Sequence, residues 1–331
     1  MFIRKLSFTK ILNLIKLYFN YYFSIVFKTS KRVAYPTSIS IEPTTTCNLQ
    51  CPECPAGLRA FTRKTGNISI ELFTKIIDEF APYLTNLILY FQGEPYLHSD
   101  FFSMVNYASV KKKIYTITST NGHFLSTENA KKTVLSGLDK IIISIDGTTQ
   151  EIYEQYRKTG NLETVLKGVK NLVSAKNELK SKTPYITVQF LVLGTNEHQI
   201  DDIKKLTKEI GVNKLELKTA QIYDYKNGNQ LIPKNQKYSR YRKNKNGTYS
   251  LKSKLKNRCE RLWNSTVITW NGDVLPCCFD KDAKYKFGNL QNSTFKEINN
   301  NKLYQNFRKQ LQKSRKNIDI CRNCTEGLFK K

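Results

Sequence analysis

The chain has 331 residues, enough to bury a sizeable core as one large domain or as two unequal ones. Its formal net charge is +27, but the excess lysines are scattered along solvent faces of the predicted helices, which favours a basic surface over a specific nucleic-acid site. The eight cysteines fall in two tightly spaced groups, which argues against a secreted, disulfide-linked protein and favours metal ligation in the cytoplasm.

The first element is an apolar segment interrupted by lysines, inside a predicted N-terminal basic amphipathic extension of residues 1–36. Its longest uncharged run is too short to cross a bilayer, and no small-residue cleavage site follows, so we expect neither a transmembrane helix nor a signal peptide. Two alternatives remain. Residues 1–32 form a basic amphipathic helix that makes peripheral membrane contact, or they form a helix that caps the bottom of a barrel or meets a partner.

Strand and helix signals alternate regularly between residues 37 and 222. The predicted strands span residues 38–44, 86–91, 114–118, 140–144, 185–193 and 214–219, and helices are predicted to begin near Ser69, Ser99, Ser126, Leu162 and Asn196. Six such repeats predict an α/β fold with a parallel sheet covered by helices. In folds of this kind the loops at the carboxyl ends of the strands hold the chemistry.

The first predicted strand ends at three cysteines, Cys47, Cys51 and Cys54. Thiolates are soft ligands that suit zinc or the iron of an iron–sulfur cluster. In a cubane [4Fe–4S] cluster, three protein thiolates leave one iron without a protein ligand, and an open coordination position is typical of a catalytic site. A zinc knuckle and redox thiols are the alternatives, although the nearest histidine, His98, lies far along the chain.

The CxxxCxxC spacing resembles the cluster motif of the radical S-adenosylmethionine (radical SAM) enzymes. The resemblance implies a partial (β/α)6, TIM-like barrel and a [4Fe–4S] cluster whose open iron is chelated by SAM. It also implies reductive cleavage of SAM to a 5′-deoxyadenosyl radical that abstracts hydrogen from a substrate. An electron donor such as a flavodoxin or ferredoxin is then expected.

The loops after strands two to four extend this resemblance. Gly93-Glu94-Pro95 resembles the family's Gly-Gly-Glu segment, which binds the amino group of SAM, with Gln92 in place of the first glycine. The loop after strand three resembles the family's Thr-Asn-Gly loop, and the loops after strand four resemble those that contact the ribose or the carboxylate of SAM. The cofactor-binding residues that this resemblance implies are Gly93, Glu94, Ser119, Asn121, Ser144, Asp146 and Arg157.

The pattern breaks in residues 223–257, whose composition predicts a linker, and the second cysteine group lies in residues 258–331. Asn271-Gly272 predicts a hairpin turn between two short strands. A helix is expected around residues 295–312. Four cysteines placed around these elements can enclose one metal, and a zinc ribbon is the direct alternative to an iron–sulfur site.

The pattern from Cys259 through Gly272-x4-Cys277 resembles the opening of the SPASM domain of radical SAM enzymes. Because the chain stops shortly after its last two cysteines, it resembles the shortened, twitch-type form with one auxiliary [4Fe–4S] cluster. The ligands that this resemblance implies are Cys259, Cys277, Cys321 and Cys324, with Cys278 as an alternative to Cys277. Asp280 is a candidate general base, and an ordinary turn aspartate is the alternative.

The resemblance implies an oxidoreductase or maturase that dehydrogenates or otherwise modifies its substrate. About 36 residues precede the first strand, too few for the peptide-binding domain that many relatives carry, which favours a small or carbohydrate-like substrate. A ribosomally made peptide or protein is the alternative substrate. A basic zinc protein that binds nucleic acid is the alternative from a different functional class.

Overall fold

The computed structural model describes residues 5–325. The helices are α1 (Phe8–Phe27), α2 (Pro55–Leu58), α3 (Ile70–Phe80), α4 (Phe101–Asn106), α5 (Thr127–Leu135), α6 (Gln150–Tyr156), α7 (Leu162–Glu178), α8 (Ile200–Ile210), α9 (Arg261–Asn264), α10 (Phe295–Asn300) and α11 (Lys302–Ser314). The strands are β1 (Ser38–Ile41), β2 (Asn86–Ile88), β3 (Tyr115–Thr120), β4 (Lys140–Ser144), β5 (Tyr185–Val192), β6 (Lys214–Thr219), β7 (Tyr241–Lys243), β8 (Tyr249–Leu251), β9 (Ser265–Ile268) and β10 (Val274–Leu275). The outer limits of the two predicted terminal regions, residues 1–4 and 326–331, lie outside the described residues.

Strands β1 to β6 form a parallel sheet in chain order. Ile39 of β1 lies opposite Leu87 of β2, and the same pairing continues to β6. At least one helix separates each strand from the next. The predicted α/β class with six parallel strands is therefore confirmed.

Alternate strand residues face the helices and the barrel interior. In β4, Ile141 and Ile143 are fully buried beneath helices, whereas Ile142 between them is only half-buried. The covering helices carry the expected end signals: the Ser69 hydroxyl accepts a hydrogen bond from the Leu72 N–H at the start of α3. The outer face of the sheet is thus the apolar core, and the inner face stays open to solvent.

The C-terminal hairpin belongs to the same sheet. Strand β9 pairs in parallel with β1, with Ser265 opposite Ser38, and β10 returns antiparallel after the predicted Asn271-Gly272 turn. The strand order is β10-β9-β1-β2-β3-β4-β5-β6. The predicted barrel core and C-terminal domain therefore share one hydrogen-bonded sheet. The sequence pattern did not predict this pairing, because the paired segments lie 227 residues apart.

Helix α1 lies across the amino ends of the strands. Asn13 exchanges hydrogen bonds with the backbone of Tyr35, just before β1. Lys5 pairs with Asp139, just before β4, at 2.6 Å between Nζ and Oδ2. The helix therefore caps the bottom of the barrel. Within residues 5–325, no helix combines the length and apolarity needed to cross a membrane.

The predicted linker is more ordered than its composition indicates, because it contains the β7–β8 hairpin. Tyr241 of β7 is buried, and its hydroxyl accepts from the Ile222 N–H (2.8 Å) and donates to Asn323 Oδ1 (2.9 Å). Asn323 lies between the last two cysteines. The linker thus connects the end of the barrel to the second cysteine group.

Candidate active site

The first cysteine group lies on the loop between β1 and α2, at the carboxyl edge of the sheet. Cys51 is buried and Cys47 and Cys54 are half-buried. The Cys54 N–H donates to the Cys51 carbonyl (3.2 Å), which closes a tight turn between these two residues. All three pack against one small apolar cluster that includes Leu49 and Tyr156. The loop therefore holds three thiols in one region above the strand ends.

A polar side chain from a different loop contacts each thiol. The pairs, measured to Sγ, are Asn121 with Cys47 (3.9 Å), Arg157 with Cys51 (3.8 Å) and Gln92 with Cys54 (3.9 Å). Burial raises the pKa of Cys47 to about 11 and also raises the pKa of Cys51. Burial thus favours the protonated thiols, and the N–H groups of Asn121 and Arg157 are placed to stabilise thiolates, whereas the Cys54 thiol donates to Gln92 Oε1.

A donor set of three thiols suits the iron of an iron–sulfur cluster. In the part of the chain that the structure describes, no three His, Cys, Asp or Glu side chains converge closely enough to hold one metal ion. In a cubane each thiolate binds a different iron, so the ligand sulfurs surround a larger object. The loop supplies three thiols, which leaves one iron for a ligand from outside the protein.

Gly93 allows the loop after β2 to lie directly against the cysteine loop. Its φ is +73°, and a Cβ atom there would lie 2.3 Å from the Thr44 carbonyl oxygen. The next N–H, that of Glu94, donates to the Thr46 carbonyl at 2.7 Å, one residue before Cys47. The predicted cofactor loop and the cysteine loop are therefore in backbone contact.

Glu94 is buried and joins the loops after β2 and β3. Its carboxylate accepts from the Thr120 hydroxyl and from the Asn121 N–H, both at 2.7 Å. Burial raises the pKa of Glu94 to about 7 against the effect of these bonds. The carboxylate thereby positions Asn121 beside Cys47. Its predicted contact with the amino group of a cofactor stays a prediction.

The buried Asp146 and the half-buried Arg157 form an ion pair at 2.6 Å between Oδ2 and Nε. The other Asp146 oxygen accepts from the Leu191 N–H at 2.6 Å, which ties the loop after β4 to strand β5. This pair holds the guanidinium next to the cysteine loop. Ser119 and Ser144 lie near the carboxyl ends of β3 and β4, and their predicted cofactor contacts stay predictions.

The second cysteine group gathers around the buried side chain of Arg315. Its Nη2 lies 3.3 Å from Cys324 Sγ. Burial acts to lower the pKa of Arg315, but the neighbouring Cys259, Cys324 and Cys321 outweigh it and raise that pKa. Burial and the neighbouring thiols Cys278, Cys324 and Cys259 raise the pKa of Cys277. The four predicted auxiliary ligands are Cys259, Cys277, Cys321 and Cys324, and the structure brings them together.

Cys278 faces the barrel instead. Its Sγ lies 3.7 Å from Arg261 Nη1, and its side chain packs beside Phe91 and Leu275. This orientation favours Cys277 over Cys278 as a ligand of the auxiliary metal. It also places a thiol on the wall of the barrel interior.

The barrel interior lies between the two cysteine groups, and polar side chains such as Tyr90, Gln189 and Glu216 line it beside apolar ones such as Ile142. Burial, and after it the charges of Cys278 and Glu216, raise the pKa of Tyr90 to about 12, whereas the nearby Arg261 acts to lower it. Lys218 Nζ pairs with Glu216 Oε1 at 3.0 Å. Tyr90 and Glu216 remain half-buried, so the interior is open to solvent.

Asp280 stabilises the loop that follows Cys277 and Cys278 by accepting hydrogen bonds from its backbone. Its carboxylate accepts from the N–H groups of Lys284 and Tyr285, both at 2.8 Å, and the residue is almost fully buried. This is the arrangement of a turn aspartate, the alternative considered from the sequence. Its role as a general base stays a prediction that the geometry does not favour.

Sequence reasoning missed Gln92 and Arg315. The signal for Gln92 was available, because it replaces a glycine of the family segment directly beside Gly93. Arg315 carries no such signal. It lies in a lysine-rich stretch after α11, and only the fold brings it against the cysteines.

Two family models match the chain. One, described as the radical SAM superfamily, matches residues 41–209, about half of the chain. The other, described as SPASM, an iron-sulfur cluster-binding domain, matches residues 259–325. Together these matches identify both cysteine groups as iron–sulfur sites rather than the zinc sites considered as alternatives.

Curated relatives match at low identity. The tungsten-containing aldehyde ferredoxin oxidoreductase cofactor-modifying protein of Pyrococcus furiosus is 27% identical over 302 residues, which cover 81% of this chain and 82% of that protein. Further relatives at 26–31% identity match about half of this chain, and the chain spans about half of their length.

Solved structures share the fold over most of the chain. The structure of BtrN in complex with AdoMet and 2-DOIA has a TM-score of 0.54 and 18% identity, covering 88% of this chain and 94% of that chain. Streptococcus suis SuiB bound to precursor peptide SuiA has a TM-score of 0.63 and 14% identity, covering 86% and 69%. At these identities the likeness establishes the architecture.

Proposed function

Because the chain belongs to the radical SAM superfamily, we propose that this enzyme oxidises a small polar molecule of carbohydrate-like chemistry. Its cofactors are SAM and [4Fe–4S] clusters. When bound, SAM and the first cluster supply a 5′-deoxyadenosyl radical that removes a hydrogen atom from the substrate. The auxiliary cluster can take up the remaining electron.

In this proposal Cys47, Cys51 and Cys54 hold the first cluster, and the surrounding loops fix its position. Arg157, which Asp146 holds in place, and Asn121 contact the ligand sulfurs through N–H groups, so they orient the thiolates and stabilise their negative charge. Their own positions depend on buried hydrogen bonds rather than on solvent. The site is therefore preorganised before a cofactor enters.

The observation that carries the substrate class is the group of polar side chains in the barrel interior between the two cysteine groups. A site that hydrogen-bonds hydroxyl groups discriminates strongly against analogues that lack them. Tyr90, Gln189 and Glu216 are half-buried on inward-facing positions and supply donors and acceptors. Arg261 and Lys218 add positive charge. A polyhydroxylated molecule can exchange hydrogen bonds with these side chains, whereas an apolar molecule cannot, so the former fits better.

Glu216 is the residue that we propose to accept the hydrogen bond, and then the proton, of a substrate hydroxyl. Burial alone would raise its pKa, but the hydrogen bond and charge of Lys218 outweigh burial and lower the pKa. Its carboxylate is therefore ionised at neutral pH, as an acceptor at Oε1 or Oε2 requires.

A peptide substrate is the second candidate, and one feature favours it. Strand β6 is an edge of the main sheet, and its residues are half-buried or exposed. An extended peptide can add to such an edge through backbone hydrogen bonds. SuiB, one of the structural neighbours, is described as bound to its precursor peptide.

The test uses hydrogen transfer into the cofactor product. The reconstituted, chemically reduced enzyme is incubated with SAM and with extract of cells grown in deuterated medium, separated by ultrafiltration into small molecules and macromolecules. We expect deuterium in 5′-deoxyadenosine with the small-molecule fraction. Transfer from the macromolecular fraction alone would establish the maturase alternative, and no transfer from either fraction would contradict the substrate proposal.

Three variants complete this experiment. Cys51→Ala is expected to abolish SAM cleavage, because two thiolates remain for the first cluster. Glu216→Gln is expected to keep uncoupled SAM cleavage and to lose roughly 10²-fold or more of substrate turnover. Glu209→Gln, an exposed glutamate on α8, is the matched control and should retain both activities. A flavodoxin or ferredoxin as the physiological electron donor stays part of the proposal.

A further inference from the structure

Helix α1 presents most of its large apolar residues to solvent, while Leu17, Tyr21 and several polar residues face the protein. Phe19 is 72% exposed and Val26 70% exposed, and Ile15, Tyr22 and Phe27 lie on the same outward stripe. These positions recur at helical spacing, so the stripe is continuous along the 20-residue helix. Monomeric proteins rarely expose apolar surface of this extent unless something binds to it.

The inward polar residues fix the rotation of the helix. Asn20 Oδ1 accepts from the Val33 N–H at 3.3 Å, and Lys10 Nζ donates to the Lys113 carbonyl at 3.1 Å. Asn13 bonds to the segment before β1 on the same side. Turning the apolar stripe inward would break these buried bonds, so the outward stripe is a specified feature of the fold.

The surroundings of the stripe are cationic. Lys16, Lys28 and Lys31 are exposed, and no acidic residue precedes Glu42 in the sequence. A cavity of about 350 Å³ at the carboxyl end of α1 is lined by Lys28, Lys256 and Arg258, among others. An apolar stripe bordered by positive charge complements a surface that offers acyl chains and anionic head groups.

We propose that the outward face of α1 docks on a lipid bilayer containing anionic phospholipids. The helix would lie in the interface plane, with Phe19 and Tyr22 at the level of the head groups. A second copy of the chain fits less well, because a two-fold contact would place Lys16 and its neighbours against the same lysines. The net charge of +27 opposes self-association further.

The location of α1 makes this docking compatible with catalysis. The helix contacts segments that precede β1, β3 and β4, so it lies on the amino side of the sheet. The cysteine loop lies at the opposite, carboxyl edge. A protein docked through α1 would therefore hold its barrel mouth away from the bilayer and open to its substrate. The inference is independent of the substrate proposed above.

Vesicle flotation tests the proposal with the full chain carrying its clusters. We expect co-flotation with vesicles of phosphatidylcholine and phosphatidylglycerol, much weaker binding to phosphatidylcholine alone, and loss of binding at high salt. Phe19→Ser combined with Phe23→Ser should weaken binding roughly tenfold or more, because both rings lie on the outward stripe. Lys16→Glu combined with Lys256→Glu should remove the preference for anionic vesicles.

Two exposed leucines elsewhere provide the control. Leu135 and Leu303 are 68% and 62% exposed, and Leu135→Ser combined with Leu303→Ser should leave flotation unchanged. Iron content and thermal unfolding of every variant verify that folding is intact. Failure of the unmodified protein to float with anionic vesicles would overturn the proposal. So would a dimer in sedimentation that Phe19→Ser with Phe23→Ser disrupts, because a second copy would then be the occupant.

Discussion

Gly93 and Gly211 adopt similar left-handed backbone conformations in different surroundings. Their φ values are +73° and +82°, but a Cβ at Gly93 would meet the Thr44 carbonyl at 2.3 Å, whereas a Cβ at Gly211 would meet nothing within 4 Å. The two positions therefore separate the effect of backbone conformation from the effect of close approach between two loops.

We expect Gly211→Ala to lower the free energy of unfolding by about 1–2 kcal/mol, the ordinary cost of a left-handed conformation in a residue with a Cβ. Gly93→Ala should cost more and should also reduce the iron content, because the cysteine loop must move away from the loop after β2. Urea unfolding and iron analysis measure both effects. Equal stability losses and equal iron content would show that the contact between the loops is unimportant.

Adjacent cysteines give a second comparison at the scale of single residues. Cys277 faces Cys259 and Cys324, whereas Cys278 faces Arg261 and the barrel interior. We expect Cys277→Ala to lose about four of about eight irons per chain and Cys278→Ala to lose none, since two cubanes hold four irons each. Iron and sulfide analysis after anaerobic reconstitution measures this. The reverse result would assign the ligand to Cys278.

The cysteine ligands could be predicted from spacing because they lie close together in the sequence. The contacts of Gln92, Arg157 and Arg315 with ligand sulfurs could not, because each distance depends on how separate loops meet. Asp280 illustrates the opposite difficulty. A carboxylate beside a cysteine pair resembles a catalytic base. Only the structure shows that this carboxylate accepts hydrogen bonds from two backbone N–H groups.

At the scale of elements, a buried asparagine joins the segment before β1 to α10 and α11. Asn299 Oδ1 accepts from Arg32 Nε at 2.8 Å and from Arg308 Nη2 at 2.6 Å, and its amide donates to the Arg32 carbonyl. Both guanidinium groups are buried, and both stack on Tyr304. The N-terminal extension predicted as a separate region is thus anchored in the C-terminal helices.

We expect Asn299→Ala to lower the free energy of unfolding by about 3–5 kcal/mol, because it removes hydrogen bonds from two buried cations at once. Asn300→Ala is the matched control: Asn300 is the next residue, is exposed, and its side-chain amide donates to the Lys296 carbonyl one turn earlier in α10. That variant should differ from the parent by about 0.5 kcal/mol or less. Similar urea midpoints for the two variants would contradict the anchoring role.

At the scale of the whole molecule, the β1–β9 pairing makes the predicted barrel core dependent on the C-terminal region. The order of β1 to β6 followed from the sequence because each strand pairs with its neighbour in the chain. The position of β9 did not follow, because a short apolar strand carries no information about a distant partner. Division into residues 37–222 and 258–331 stays a prediction about sequence regions, which the shared sheet joins.

A chain that ends at residue 257 should therefore fail to form a stable monomer. Its strand β1 would expose an unpaired edge, and the apolar residues beneath the C-terminal helices would lose their cover. Size-exclusion chromatography and far-UV circular dichroism of this truncated chain make the test. Full-length Cys324→Ala is the control for loss of the auxiliary cluster alone and should stay monomeric. A folded, monomeric truncated chain would contradict the prediction.

The long sequence interval between β1 and β9 also bears on how the protein is made. The paired segments are 227 residues apart, so at ribosomal elongation rates the second emerges on the order of 10–50 s after the first. Throughout that time one side of β1, directly beside the three thiols, is without its eventual neighbour. Nascent chains therefore expose an unpaired strand edge next to cysteine thiols that have no cluster bound. We expect a chaperone to bind the nascent chain before the iron–sulfur clusters are inserted.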